Sequence, residues 1–530
     1  MAQILLFAGI VIIICIFMSR VADKLPIPSL LVFIGLGICF GENGFFRIPF
    51  NDYDLSETVC SVCLIFVMFY GGFGTNIREA RPVAVKSFLL STLGVALTAG
   101  LVGGFVYLCF GLGWLESFLI GSVISSTDAA SVFNVLRSKK LALKYHTDSM
   151  LELESGSNDP MSYLLTMVTL ALLTGREVSV PWMLLQQMAL GIGCGLLVGK
   201  ISLVLMNKID FPISHSRTLF LFASAVVAYA LPSVIGGNGY LSVYLCGIFL
   251  GNGFLPQKKD MVHFFDVLTE TAQMVIFFLL GLLVTPVDLP AVFVPALLIT
   301  LFLTFVGRPA AVFALLKPFG ASMRQIGLVS WAGLRGVASI VFSIYVVLEQ
   351  IPMRYDLFNL VFVIVLLSLS FQGTLLPWAA EKLDMVDRHA NVLKTFNDYQ
   401  DEEDISFVKA HITEGAPFAG YRLKEVPVFQ DMLVTMVLRG EETIIPDGET
   451  KLEKGDLLVL AAPTFQDREN LSLREVYIGK GHRWNGQPLK IIAKDHKMLV
   501  VMIKRGQKNI IPNGDTVIQK DDTLVTARLE

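Results

Sequence analysis

The chain has 530 residues, 54% of them hydrophobic and only 16% charged, with a net charge of −3 and a mean hydropathy of +0.64. A soluble globular chain carries about 25% charged residues, so a protein living wholly in water is excluded. The slightly negative balance argues against a nucleic-acid partner.

Apolar runs of about 20 residues, the length that spans a bilayer, recur from Ile4 to Trp378. We count about thirteen, at 2–19, 27–42, 56–73, 84–110, 114–136, 148–174, 181–206, 217–235, 239–254, 263–284, 290–316, 322–349 and 356–380. The first has no basic leader and no small-residue cleavage site, so it reads as a retained helix rather than a signal peptide. Basic residues follow the odd-numbered runs from the first to the eleventh: Arg20 and Lys24; Arg78, Arg81 and Lys86; Arg137, Lys139, Lys140 and Lys144; Lys208 and Arg217; Lys258 and Lys259; Lys317 and Arg324. The alternate loops carry Glu42, Asp52, Asp54, Glu116, Asp288 and Glu349, with only Arg47, Arg176 and Arg354 against them. By the positive-inside rule the N-terminus is outside and the C-terminus cytoplasmic. The seven cysteines lie mostly within these runs. Cys60 and Cys63 form a CxxC on an apolar helix with no second ligand pair, which points to packing rather than metal or redox chemistry.

A charge at the bilayer midplane costs at least roughly 2.5–3.5 kcal/mol, so ionisable residues inside runs demand an explanation. Span five, VISSTDAASVF (123–133), opens with Ser125, Ser126, Thr127 and Asp128. Small polar residues there can free backbone carbonyls to coordinate a cation; a Ser/Thr-rich packing face is the competing reading. Span six contains LELESGSNDPMSYLL (151–165). Asp159 lies about eleven residues into it, near the middle of a crossing. Asp159, Ser155 and Glu152 share one helix face, Glu154 and Asn158 a neighbouring one, and Gly156 and Pro160 should loosen the helix. Three acids within eight residues exceed what a polar packing seam needs.

In span seven GIGCGLLVG (191–199) resembles a dinucleotide fingerprint, but no strand precedes it, and small-residue helix packing explains it better. Glu270 and Gln273 in span ten read as interior hydrogen bonding or a subunit contact. Arg308, in GRPAAV (307–312) toward the cytoplasmic end of span eleven, is open between snorkelling, a helix break at Pro309 and function. Arg335, in SWAGLRGVASIVF (330–342), is too deep to snorkel and should seek a carboxylate. Glu154 is its expected partner, which leaves Asp159 to titrate. TDAASVF and RGVASIVF each interrupt an apolar helix with small residues and one central charge. Corresponding broken helices in two halves point to a transporter site, with the acid and the base neutralising opposed half-helix dipoles.

The last apolar run ends near Trp378, and DRHANVLKTFNDYQDEED (387–404) follows as a polar linker or juxtamembrane helix. Beyond it DLLVLAAP (456–463) and KMLVVMIKRG (497–506) read as strands bounded by Gly, Pro and Asp. The stretch 433–460 aligns with 499–526 at a step of 66 residues, carrying Arg439 onto Arg505 and Ile444, Ile445, Pro446 and Gly448 onto Ile510, Ile511, Pro512 and Gly514. Gly415, Gly420 and Leu423 map onto Gly481, Gly486 and Leu489. Tandem copies of one β-rich unit follow, with the glycines in turns. The expected domains are 1–383 in the membrane, a linker at 384–404, and two repeats at 405–468 and 469–530.

SSTDAASVF followed by ESGSNDP, with GLRG in span twelve, resembles the NhaP-type cation/proton antiporters, the electroneutral branch with an Asn-Asp pair. The match covers residues 1 to about 385. The cytoplasmic repeat, with its IIPxG and GD turns, resembles the RCK C-terminal (TrkA-C) module. The combination looks like the CvrA-type potassium/proton antiporters of bacteria. The resemblance implies an all-α polytopic membrane domain of inverted repeats with two crossed, unwound helices, plus a small α+β cytoplasmic domain. It also implies a homodimer working by an elevator movement in the bacterial inner membrane. By motif position Asp159 is the cation and proton carboxylate, Thr127, Asp128 and Ser155 line the ion site, and Asn158, Glu154 and Arg335 brace it. FYGGFGTN (69–76) lacks an acid that some relatives place near the site, which leaves K⁺ against Na⁺ open. No resident cofactor is implied. Modules of this kind often sense nucleotides, so an unidentified regulatory nucleotide is expected at the repeat or its dimer interface.

Exchange follows from the physics. A desolvated carboxylate is disfavoured as a bare anion and takes either a proton or a monovalent cation. If only the occupied, neutral site crosses, each crossing carries one or the other. An RCK-gated channel would need a carbonyl-lined filter, and no TVGYG-like loop is present. A membrane hydrolase would need a nucleophile motif; GxSxG is absent and the seven histidines sit mostly in loops or the soluble part, so no enzymatic activity is expected.

Overall fold

The computed structural model describes residues 9–18, 29–42, 44–139, 141–176, 179–209, 214–255, 258–387, 405–412, 418–426, 433–440, 442–463, 471–479, 482–491, 499–505, 508–510, 512, 514 and 516–529. Residues 388–404 of the expected linker, and Arg20, Lys24, Lys140, Lys259, Gly415, Gly481 and Ile511, lie outside the described residues or their described side chains. The chain forms two units, Met1–Asp401 and Glu402–Glu530.

In the first unit helices occupy the apolar runs: α1 Gly9–Met18, α2 Ser29–Phe40, α3 Tyr53–Gly74, α4 Ala84–Phe110, α5 Trp114–Val123, α6 Ala129–Ser138, α7 Thr147–Leu173, α8 Val180–Lys208, α9 Ser214–Val234, α10 Gly239–Gly251, α11 Lys258–Leu283, α12 Leu289–Phe319, α13 Met323–Trp331, α14 Val337–Leu348 and α15 Leu357–Lys382. Among the described residues seven are long and apolar enough to cross a membrane by length and composition: α3, α4, α8, α9, α11, α12 and α15. Leu97, Leu101 and Leu108 on α4 and Leu185, Leu196 and Leu197 on α8 are exposed, apolar surface that lipid rather than water stabilises. At 27 residues α7 is long enough to cross but carries Asp148, Glu152, Glu154 and Asp159, so protein rather than lipid must surround it.

One sequence of elements occurs twice. A helix with a π-helical turn (α4, turn at Leu90–Gly94) leads to a broken pair (α5 and α6) and a long helix (α7). Likewise α12, with its turn at Leu303–Gly307, leads to α13 and α14 and then α15. The second set begins an odd number of crossings after the first and so runs in the opposite sense. Contrary to expectation, α7 is continuous through Gly156 and Pro160. Asn238 Nδ2, at the start of α10, donates to the Pro160 carbonyl at 2.9 Å and ties α7 to α10 at this turn.

The N-terminal end of α7 is tied to the exit of α15. Leu143 and Val386 form an antiparallel bridge, with Lys144 N–H donating to Met385 O and Asp387 N–H to Ala142 O, both at 2.8 Å. Asp384 pairs with Lys144 at 2.9 Å and with Arg324, at the start of α13, at 3.0 Å. Tyr145, His146 and Asp384 hold φ of 61°, 52° and 52° here, a left-handed conformation costing of order 1 kcal/mol or more per non-glycine residue. The bridge and the ion pairs stabilise it.

The second unit holds two four-stranded antiparallel sheets of the same topology. In one, β1 Ile405–His411, β2 Leu433–Arg439, β3 Glu442–Ile444 and β4 Leu457–Pro463 run in the order β1-β4-β2-β3. In the other, β5 Leu471–Tyr477, β6 Leu499–Arg505, β7 Lys508–Ile510 and β8 Asp522–Leu529 run β5-β8-β6-β7. Bulges fall at Val434/Met436 and at Val500/Met502, one repeat apart. Arg439 donates to the buried Asp456 carboxylate at 2.8 Å and to Lys451 O at 2.8 Å; Arg505 does the same to Asp522 at 2.8 Å and Val517 O at 2.9 Å. Gly455, at φ 94°, has Asp521 as its counterpart at φ 68°, and Tyr477 donates to the Asp521 carboxylate at 2.7 Å.

Candidate cation site at a helix crossing

Two unwound segments, 125–128 and 333–336, pass each other where α5 gives way to α6 and α13 to α14. Asp128 N–H donates to Leu334 O at 2.8 Å. A broken helix leaves carbonyls at one end and N–H groups at the other, and the side chains at the crossing meet both. Arg335 Nη1 donates to Ser125 O at 2.8 Å and to Ser126 O at 2.6 Å, covering the carbonyl end of α5. The Arg335 N–H donates to Ser368 Oγ at 3.0 Å, on the π-helical turn of α15. The Asp128 carboxylate caps α6, accepting from Ser131 N–H at 3.2 Å and from Ser131 Oγ. It also lies against Gly336, where an added methyl would come within 2.4 Å of it, so the same carboxylate sits at the N-terminus of α14. One acid thus faces two helix N-termini, and one base faces a C-terminus.

Helix α7 is sewn to this crossing along one face. Ser155 donates to Thr127 O, Asn158 Nδ2 to Thr127 Oγ1, and Ser162 Oγ to Ser122 O at 2.6 Å. Asp159 lies at the edge of that seam. It is half-buried, and its Oδ1 is fully enclosed without a hydrogen-bond partner among the described residues.

The structure brings Thr127, Asp128, Ser155, Asn158, Asp159 and Arg335 together, but it reassigns Glu154. Glu154 pairs with Arg308, not with Arg335, and both partners are almost wholly buried. The reason is geometric. Glu154 points from α7 toward α12, where the π-helical turn ends at Arg308, whereas Arg335 is committed to carbonyls. Arg308 therefore neither snorkels nor breaks its helix. The carbonyls of Ser125, Ser126 and Thr127, expected to face a cation, each accept a hydrogen bond from a protein donor instead. Sequence reasoning missed Arg308 as the partner and also Tyr240 and Tyr244, one turn apart on α10 beside α7. The spacing of those two tyrosines in GYLSVYL was the available signal.

A pair of crossed, interrupted helices in oppositely directed repeats, with an enclosed carboxylate beside the crossing, defines a membrane antiporter of the secondary-transporter class. The fold is similar to that of a sodium proton antiporter from Methanocaldococcus jannaschii solved at pH 8, with a TM-score of 0.65, 24% identity and coverage of 72% of this chain and 99% of that one. Residues 9–382 match the transmembrane sodium/hydrogen exchanger family, and 408–464 and 473–525 match the TrkA-C domain. A K⁺/H⁺ antiporter NhaP2 of Shewanella sp. (strain ANA-3) is 32% identical over 461 residues, covering 86% of this chain and 80% of that protein. A K⁺/H⁺ antiporter NhaP of Alkalimonas amylolytica is 36% identical over 373 residues, 70% of this chain and 65% of that one. This chain belongs to the sodium/hydrogen exchanger family and carries a C-terminal TrkA-C domain.

Proposed function

We propose that the protein exchanges a monovalent cation, K⁺, for a proton across the bacterial inner membrane, one for one. The observation that carries this reading is Asp159: a carboxylate with one oxygen enclosed and unpartnered, beside a crossing where Arg335 covers backbone carbonyls, Asp128 caps α6 and Glu154 pairs with Arg308. A bare anion there is costly. Proton and cation are alternative ways to neutralise it, so they compete for one place. With Asn158 in the neighbouring position, committed to Thr127, a single charge is neutralised per crossing, and the exchange is electroneutral. Thr127 and Ser155 shape the place the cation takes, and Asp128 acts there as the cap of α6 and α14 rather than as a second titrating acid. Asn158, Arg335 and the Glu154–Arg308 pair brace it. K⁺ is favoured because the relatives that match along most of the chain are K⁺/H⁺ antiporters. Na⁺ is the second reading, favoured by a relative from Aphanothece halophytica described as a Na⁺/H⁺ antiporter, 26% identical over 426 residues.

In this proposal the crossed-helix bundle moves against the remaining helices as an elevator, the protein is a homodimer, and the N-terminus is outside. The TrkA-C domain lies in the cytoplasm and regulates exchange, with a nucleotide as the candidate ligand. No resident cofactor or catalysed reaction is involved. The test is ΔpH-driven cation flux in proteoliposomes. Asp159→Asn abolishes exchange with K⁺, Na⁺, Rb⁺ and Li⁺ alike, and flux that persists in that variant overturns the reading. Exchange that responds to an imposed membrane potential at fixed ΔpH overturns its electroneutrality.

A further inference from the structure

One face of α7 is consumed by the crossing through Ser155, Asn158 and Ser162. The stripe Glu152, Gly156, Asp159 and Tyr163 follows the i, i+4, i+7, i+11 rhythm of a second face. Against it lies α10, and its two tyrosines bracket Asp159. On the Tyr163 side Tyr240 is 1% exposed, its ring 5.1 Å from Tyr163 and 6.0 Å from Phe342. Its hydroxyl is partnered in a chain: Tyr240 to Tyr345 at 3.2 Å, Tyr345 to Ser61 at 2.8 Å, and Ser61 to Glu57 at 2.8 Å. That side is packed and its polar groups are satisfied.

The other side differs. Tyr244 is also 1% exposed, and its hydroxyl is enclosed with no well-formed hydrogen bond among the described residues. Its ring lies on Gly156: a methyl there would come within 2.5 Å of Cε2 and 2.8 Å of the hydroxyl. Glycine at 156 is what lets the phenol reach the stripe, with Glu152 one turn below and Asp159 one turn above. A buried hydroxyl without a partner is destabilising, and a bound cation removes that cost.

We propose that the Tyr244 hydroxyl and Glu152 form a second cation subsite on the cytoplasmic approach to Asp159, where an incoming monovalent cation exchanges part of its water shell for protein oxygens. This rests on the antiport reading above and deepens it. The subsite explains how a dehydrating ion crosses the last turn before Asp159, and why the two tyrosines of α10 differ. One closes the outward side; the other leads an ion inward from the cytoplasm.

The test uses the full-length protein and K⁺ as the probe, with exchange started from either face. Tyr244→Phe removes one oxygen and no packing volume. It should raise the K⁺ concentration for half-maximal exchange about 5- to 10-fold from the cytoplasmic face, the weight of one hydrogen bond to a charge, with the maximal rate within about 2-fold. Glu152→Gln should do the same. Because both oxygens would hold one ion, the double variant should lose less than the product of the two effects. An unchanged half-saturation, a loss of rate alone, an equal effect from both faces, or fully multiplicative losses overturns the subsite. Asp159→Asn run alongside separates the two claims: flux in that variant sinks the antiport reading, whereas a dead Asp159→Asn with a Tyr244→Phe indistinguishable from the parent sinks only the subsite.

Discussion

Glu154 and Arg308 are nearly sealed from solvent, at 1% and 2% side-chain exposure. Removing one partner leaves a buried charge unmatched, at about 3–5 kcal/mol, whereas replacing both is far milder. Arg308→Gln should therefore lower the melting temperature of the purified protein sharply, and Glu154→Gln added to it should restore much of the loss. A double variant that melts lower than either single one contradicts the pairing. Asp159 was legible in the sequence because a carboxylate in an apolar run has no bland explanation. Which arginine meets which acid was not legible, since depth along a span fixes the distance from the membrane surface but not which neighbour a side chain faces. Arg308 and Arg335 both lie deep; the π-helical turn before Arg308 and the bare carbonyls at Ser125 and Ser126 decide between them.

Among elements, the crossing depends on close approach. Gly336 has no room for a side chain because the Asp128 Cβ lies 2.4 Å from where its methyl would be. Gly336→Ala must push the two unwound segments apart, breaking the bond between Asp128 N–H and Leu334 O. Overpacking of this kind costs about 1–3 kcal/mol, so the protein should still be made and inserted while exchange falls at least about tenfold. Near-parental exchange in Gly336→Ala would show that the crossing tolerates displacement. Both breaks were readable from TDAAS and RGVAS, where small polar residues replace the apolar run. The π-helical turns of α4, α12 and α15 were not, because LSTLG, LTFVG and SLSFQG contain nothing that forbids an ordinary helix. Nor was the continuity of α7 through Pro160, where the residue type alone argues for a break.

For the whole molecule, the repeat of the C-terminal domain was legible in detail because its step is constant, and the sheets, bulges and Arg–Asp pairs all keep it. The hydrogen bond from Arg439 holds the Asp456 carboxyl below its usual range. Burial pushes the Asp522 carboxyl up, but Arg505 and the Gln519 N–H outweigh it and leave it low as well. Carboxyls depressed in the folded state add stability above their unfolded value near pH 4, lost as pH falls through the lower folded values. Arg439→Gln with Arg505→Gln should therefore weaken the sheets at neutral pH and flatten their acid dependence below about pH 4. Hydrogen exchange at 457–463 and 522–529 across pH reads this directly; protection unchanged at pH 7 would remove these pairs from the account. The bridge from Leu143 to Val386 carries a last consequence. The strand leaving the membrane is fastened to the foot of the helix that holds Asp159, and Asp384 fastens it again to α13. If Asp159 holds the ion as proposed, a pull on that leash is felt at its carboxylate through α7, and by reciprocity an ion bound there tugs on the leash in return.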